Sequence, residues 1–598
     1  MCYKVLISYD NSNMNRDVKA GQNIKDILAD SRIFLDSPCG GNGTCGKCKV
    51  ICSGSLSEIT ENEKSLLTTA EIEQGIRLAC FTNIDGDATV TLPKSDDAQI
   101  LKGFSAEVEF KQHFKSFSVD LTTPTLANPI NDETNILQAT NSKFITNNAL
   151  KKLSEITKLQ RNNIFALKNE DTIVDVSTKA ISVYGMAVDI GTTTVVAYFY
   201  DLITGELIDT QSGINEQRAF GADVISRISA CIEQENGLND LQRTIINELN
   251  RFINNFCKMA NTKISNIYFA TIAGNTTMLH LIAGINPTNI ANAPFIPVSL
   301  FGKNFSAASL GLNLNVDASV YLVRCISSYI GGDITAGMLA CGQACGADAT
   351  DKTTLYIDIG TNGEMTLIHN GKITCCSTAA GPAFEGAQIK FGTGGVSGAI
   401  SSIHLQDNEI IIKTINNMPA IGICGSGLID AIAVMLKLEV IDETGRICDN
   451  DEIPDMAISK RIVEIDDSNA FILDIESGIY ITQKDVREVQ LAKSAIASGI
   501  ACLLHDTNIA VTDVQKLILA GGFGSHMNSD SACEIGLLPK ELTDKIEVVG
   551  NAAGNGAAQL LLSQESFARL DDIAASCENI ELSGHPYFQD QYIENMMF

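Results

Sequence analysis

Residues 39–48 read CGGNGTCGKC, placing Cys39, Cys45 and Cys48 in a loop otherwise filled with glycine and other small or polar residues. Cys80, in the stretch RLAC, follows after a further 31 residues. Four thiolates, three of them in one tight loop, suit a [2Fe-2S] cluster. Glycines at 40, 41, 43 and 46 let the backbone reach positive φ and bring amide N–H groups toward sulfide, where they stabilise negative charge. A zinc knuckle is the alternative, disfavoured because zinc sites rarely need so many glycines between ligands. Cys52 lies close by as a spare thiol or an exchange ligand and stays outside the expected set. Gly41, Gly43 and Gly46 also match G-x-G-x-x-G. They lie among the cysteines and not on a strand-to-helix turn, so a dinucleotide-binding reading fails on context.

A second group of residues suits phosphate. From Tyr184 the chain reads YGMAVDIGTTTVVAYFYDLITGELI: an apolar strand ending at Asp189, a tight turn with Gly191, Thr192, Thr193 and Thr194, a second strand, and a turn at Thr204 and Gly205. The device recurs as TTLYIDIGTNGEMTLIHNGKI, with Asp358, Gly360, Thr361, Asn362 and Gly363, and a turn at Asn370 and Gly371. An internal repeat of a hairpin with a D-x-G-T tip is therefore expected. Such tips wrap phosphate oxygens with backbone N–H and threonine hydroxyls, while each aspartate holds Mg2+ through its waters.

A third strand, in KLILAGGFGSHM, runs into Gly521, Gly522 and Gly524, where missing side chains let a nucleoside lie against backbone. GGDITAGMLACG at 331–342 and GNAAGNGAAQLLL at 550–562 read as helices dense in small residues. Small residues at helical spacing permit a close crossing that serves as a hinge. The order of hairpin, small-residue helix, hairpin, glycine turn and second small-residue helix resembles the superfamily of actin, hexokinase and the heat-shock chaperone ATPases. No Walker P-loop is present. The resemblance implies that ATP is bound by Gly191, Thr192, Thr193, Gly360, Thr361, Asn362 and Gly363, with adenosine at Gly521, Gly522 and Gly524. It further implies that Asp189 and Asp358 carry the metal and that Asp333, heading the first small-residue helix, assists the attacking water.

Around the cysteine loop, YKVLIS and ATVTL read as strands and GQNIKDILADS as an amphipathic helix. These residues resemble a ferredoxin, with a first cysteine gap of five residues, like the adrenodoxin-like variant and unlike the plant type. KSDDAQILKG reads as a linker, SAEVEFKQHFKSFSVDL as strands and NNALKKLSEITKLQ as a helix. The expected organisation is a β-grasp [2Fe-2S] ferredoxin over 1–94, a linker and small α+β connecting domain over 95–182, and a duplicated ribonuclease-H-like, actin-like α/β ATPase domain of two lobes over 183–598.

At 598 residues, 45% hydrophobic and 19% charged, the chain is globular and large enough for several cores. A net charge of -28, without a basic run, excludes nucleic-acid binding. The N-terminus lacks the pattern of a signal peptide and no apolar run reaches membrane-spanning length, so no membrane association and a cytoplasmic location are expected. The 18 cysteines then read as reduced thiols or metal ligands, with Cys257, Cys341 and Cys502 expected as small buried hydrophobes.

A ferredoxin joined to this ATPase fold resembles the reductive activators of corrinoid proteins that serve methyltransferases of anaerobic one-carbon metabolism. NEQRAFGADVISRI, AGNTTMLHL, STAAGPAFEGAQI, ICGSGLIDAIA and QKDVREVQLAKSAI are similar to that family too. The resemblance implies transfer of one electron from the cluster to inactive Co(II) on a corrinoid partner, restoring Co(I) at the cost of ATP, with a low-potential donor upstream. A deficit of 100 mV is worth about 2.3 kcal/mol per electron, so some source must supply several kcal/mol. No D-x-H-x-x-G motif is present, so the cobalamin belongs to the partner. A homodimer is compatible with this reading. The alternatives are an activator of a 2-hydroxyacyl-CoA dehydratase or aromatic-CoA reductase, a plain electron carrier with a non-catalytic ATPase fold, and a small-molecule kinase.

Overall fold

The structure is a computed structural model that describes residues 2–9, 12–31, 46, 48–67, 69–92, 110–342, 352–406 and 409–598. At the N-terminus, a five-stranded sheet runs in the order Ser12–Lys19, Cys2–Tyr9, Ile84–Thr91, Lys49–Leu56 and Ile76–Leu78. The two strands expected from YKVLIS and ATVTL lie side by side and parallel. The helix Ile24–Asp30 covers the sheet with Ile24, Ile27 and Leu28, spaced to share one face, all buried in the same core as Val5, Val50 and Val90. This is the β-grasp arrangement.

One buried carboxylate fixes the segment that carries Cys80. Glu63, in the short helix Glu61–Leu66, has no exposed side-chain surface, and its partner Arg77 is 12% exposed. Its Oε1 accepts from Arg77 Nε at 3.0 Å, the Leu78 N–H at 3.1 Å and the Thr82 hydroxyl at 3.2 Å. Burial disfavours the charge, but the Arg77 and backbone hydrogen bonds outweigh it and hold the carboxyl below its ordinary range.

The connecting unit is a four-stranded sheet, ordered Phe114–Val119, Ile164–Asn169, Thr172–Ser177 and Phe144–Ile145, with helices Asp132–Ala139 and Asn147–Ile156. Of the strands expected in SAEVEFKQHFKSFSVDL, Phe114–Val119 forms; the linker KSDDAQILKG lies outside the described residues. This unit is bound to the following domain by buried polar contacts. Tyr268 donates its hydroxyl to Asp175 at 2.6 Å, which also meets Lys152 at 2.6 Å, and Thr146 and Asn148 both reach Asp317 at 3.0 Å.

The remaining chain contains two six-stranded sheets. The first is ordered Leu207–Ile214, Thr194–Asp201, Tyr184–Ile190, Ile267–Gly274, Ser319–Leu322, Lys303–Ser306. The second reads Cys577–Asn579, Lys372–Thr378, Gly363–His369, Thr354–Ile359, Lys516–Ala520, Ile546–Gly550. In both, three antiparallel strands joined by hairpins are extended by two parallel strands beside the first. This is the duplicated ribonuclease-H-like order that the paired D-x-G-T motifs predict. Strand Ile267–Gly274 is buried at every position, as a strand covered on both faces must be. At Asn370 and Gly371, φ values of 50° and 74° make the two-residue turn suited to the sheet's twist.

Between the sheets, helices Gly332–Ala340 and Ala552–Leu562 cross in direct backbone contact. A Cβ on Gly556 would stand 1.9 Å from the Ala336 carbonyl oxygen, and one on Gly337 would stand 2.1 Å from the Tyr356 hydroxyl. Cys502 is buried as expected, but Cys257 and Cys341 are only partly so. Both lie at the C-terminal ends of helices, at the margin of the packed face.

Replacing Gly556 with Val should force the two helices apart and destabilise the two-sheet domain by about 3 kcal/mol, read as a lowered thermal transition. Replacing Glu63 with Gln should destabilise the N-terminal unit by about 2 kcal/mol and leave the transition of the two-sheet domain in place, resolved by calorimetry of the whole chain.

Candidate active site

Cys48 and Cys80 are brought together at one end of an antiparallel strand pair, where Lys49 faces Leu78. Cys48 precedes strand Lys49–Leu56, Cys80 follows Ile76–Leu78, and the Ala79 N–H donates to the Cys48 carbonyl at 2.9 Å. Their sulfurs are 3.3 Å apart, close enough for both thiolates to bind one metal ion. Gly46, just before Cys48, has φ +63°, the left-handed geometry expected of the loop. Cys39 and Cys45 lie outside the described residues. Cys52 is buried in the sheet core, where loss of solvent pushes its thiol up to about 12, so it behaves as a small hydrophobe.

The second site is a cavity of about 720 Å3 between the two six-stranded sheets. It is lined by Asp189, Gly191, Thr192 and Thr193 from the first hairpin and by Asp358, Gly360, Thr361 and Asn362 from the second. Asp333, Gly521 and Gly522 line it as well. Both tips are tight: the Gly191 N–H donates to the Thr194 carbonyl and the Gly360 N–H to the Asn362 carbonyl, each at 2.9 Å. Gly521 has φ +89°, and a Cβ there would fall 2.4 Å from Asp358 Oδ1, so only glycine lets this strand end approach the aspartate. Phe384 and Phe523 stack at 5.1 Å and form an apolar wall next to Gly522.

Two glycines expected at the site do not line the cavity. Gly363 starts its strand facing helix Gln483–Thr507, where a Cβ would meet Ile496 at 2.9 Å, and Gly524 packs on Leu519 at 3.0 Å. Both are small for packing reasons.

Burial dominates the electrostatics. It raises Asp189 to about 7 and Asp358 to about 8, and the charge of Asp333 adds to both shifts. A hydrogen bond from Asn551 partly offsets the rise at Asp189. Burial raises Asp333 too, and Glu364, directly opposite Asp358 across the hairpin, is raised well above the usual carboxylate range by burial and the neighbouring acids. Glu364 was not among the residues expected from the motif, although an acid within the apolar run EMTLI immediately after the tip is a readable signal. Glu385 was also missed: its carboxylate accepts from Thr193 at 3.0 Å and from Thr361 at 2.6 Å, joining the two tips. Arg227 supports the first tip from behind, fully buried and donating to the Thr192 carbonyl at 2.5 Å.

Three family models match the chain: the 2Fe-2S iron-sulfur cluster binding domain at residues 7–85, the RACo middle region at 184–344, and the C-terminal domain of RACo, the ASKHA domain, at 352–598. The corrinoid activation enzyme RamQ of Eubacterium limosum is 31% identical over 596 residues, covering 97% of each chain. The [Co(II) methylated amine-specific corrinoid protein] reductase of Methanosarcina barkeri is 26% identical over 437 residues, 66% of this chain and 73% of that one. Among solved structures, a reductive activator for corrinoid, iron-sulfur protein superposes with a TM-score of 0.73 at 31% identity, covering 100% of this chain and 98% of that one. An iron–sulfur domain joined to an ASKHA domain, with similarity running the length of the chain, makes this protein a member of the family of reductive activators of corrinoid proteins.

Proposed function

We propose that the chain uses ATP to drive one electron from a [2Fe-2S] centre onto the Co(II) of a corrinoid protein in a methyltransferase system, returning it to Co(I), and that it works in the cytoplasm with a low-potential donor upstream. The observation that carries the proposal is the union, in one chain, of two thiols 3.3 Å apart with a cleft in which two D-x-G-T tips face buried carboxylates. Cys39, Cys45, Cys48 and Cys80 would hold the cluster, which supplies one-electron reduction when bound.

At the cleft, the hydroxyls of Thr192, Thr193 and Thr361 and the tip N–H groups bind phosphate oxygens. Gly521, Gly522 and the wall of Phe384 and Phe523 receive adenosine; the cavity's volume is in the range of small-molecule sites. Asp189 and Asp358 are the Mg2+ residues. Mg2+ keeps several of its waters, so two aspartates are enough to hold it through them. Asp333, whose charge acts on both aspartates, orients the attacking water.

The two lobes make the coupling. ATP shifts the protein toward one arrangement only if it binds that arrangement more tightly, and a cleft built from both lobes binds it best when they close. Closure changes affinity for the Co(II) partner, and hydrolysis resets it.

With a corrinoid partner present, cobalt reduction should require ATP, followed by the visible spectrum of the cobalamin. Equal reduction without nucleotide would overturn the proposal. Asp358→Ala should lower ATP turnover by about a hundredfold or more while leaving the iron–sulfur absorption intact. Cys48→Ala should do the reverse, sparing MgATP binding and stopping electron delivery.

A further inference from the structure

Glu385 stands where the two halves of the cleft meet. It ends the single turn Pro382–Glu385, between Gly381 at φ +79° and Gly386 at φ +78°. A Cβ on Gly386 would lie 2.6 Å from the Thr393 backbone, so the turn is held in place on its C-terminal side. Its two oxygens are divided between the lobes: Oε2 accepts from Thr193 of the first hairpin and Oε1 from Thr361 of the second.

A threonine hydroxyl has one proton to donate. Donated to Glu385, it is withheld from a phosphate oxygen. Carboxylate and phosphate ask the same of these hydroxyls and carry charge of the same sign, so the two compete for one place.

We propose that Glu385 is an internal anion that engages the phosphate-binding hydroxyls of the cleft, and that the phosphates of an incoming nucleotide must displace it. This rests on the nucleotide reading of the cleft and adds a positioning residue to it. Displacement has a route outward. The turn continues to Lys390, whose N–H donates to Asp485 Oδ1 at 2.8 Å, and Asp485 belongs to the capping box of helix Gln483–Thr507. Thr393 follows, with its N–H on the Ile423 carbonyl at 2.9 Å. The Glu385 turn is thus tied within the second lobe to helix Gln483–Thr507.

The test is calorimetric titration of the full-length protein with MgATP and, separately, with adenosine, which has no phosphate. In Glu385→Ala, MgATP should bind about tenfold tighter, the size expected from removing one nearby like charge, while adenosine affinity stays within about twofold. Glu385→Gln keeps the side chain's reach without the charge and should move MgATP in the same direction by less. A purely structural role for Glu385 would weaken both ligands together, and that result, or unchanged MgATP binding in both variants, overturns the inference. If the native protein binds neither ligand, the nucleotide reading itself falls and this inference falls with it. If the native protein binds both and the variants fail to separate them, only the role of Glu385 is lost.

Discussion

The cleft depends on one close approach, that of Gly556 to the carbonyl of Ala336. No side chain other than hydrogen fits between these helices, so their backbones set the distance between the two sheets. Thr335, buried in the first helix, donates to the Arg324 carbonyl at 2.6 Å, whereas the Tyr356 hydroxyl packed against Gly337 is buried with no hydrogen-bond partner among the described residues. The N-terminal ends of both helices then arrive in the same cavity: Asp333 sits in the first turn of one, and Asn551 caps the other, with Ala552 and Ala553 also lining the space. Exposed helix N-termini favour anions, which suits a phosphate-binding role for this end of the cleft.

Duplication supplies two copies of the same sheet but not two copies of the same chemistry. The first tip is backed by the buried cation Arg227 and by Asn275, whose amide reaches Thr192 at 3.3 Å. The second is backed by Glu364, an additional acid in the strand beside Asp358. One side of the cleft thus carries a buried cation behind its backbone and the other an additional buried acid held toward its neutral form. The carboxyl groups between them are driven toward their neutral forms by burial and by one another.

Both tips, the two crossing helices and the strand leading to Gly521 were legible in the sequence because each is a local pattern: an apolar run, a small-residue turn, a helical spacing of glycine and alanine. Gly363 and Gly524 were legible as glycines but not as packing glycines, since what they touch, Ile496 and Leu519, is set by the tertiary fold. Glu385 and Glu63 carry no local signature. Glu63 lies in a polar helix and looks solvent-facing until the Cys80 segment folds over it, and Glu385 acquires its role only when two hairpins more than a hundred residues apart in sequence come to either side of it. Charged residues whose partners come from distant segments are where reading by pattern stops.

Helix Ala552–Leu562 joins the cleft to the connecting unit. Its first turn lines the cleft. At its other end, the Leu562 carbonyl accepts from the Lys111 N–H at 3.1 Å and the Leu560 carbonyl lies 3.0 Å from the His113 ring. Lys111 also pairs with Glu565 at 2.5 Å. These residues open the connecting unit, directly after the stretch of chain that follows the iron–sulfur domain. Eleven helical residues span only about 16 Å. Residues 111–113 are therefore tied through one short helix to the residues that line the cleft, with the Gly556 contact at the helix's centre.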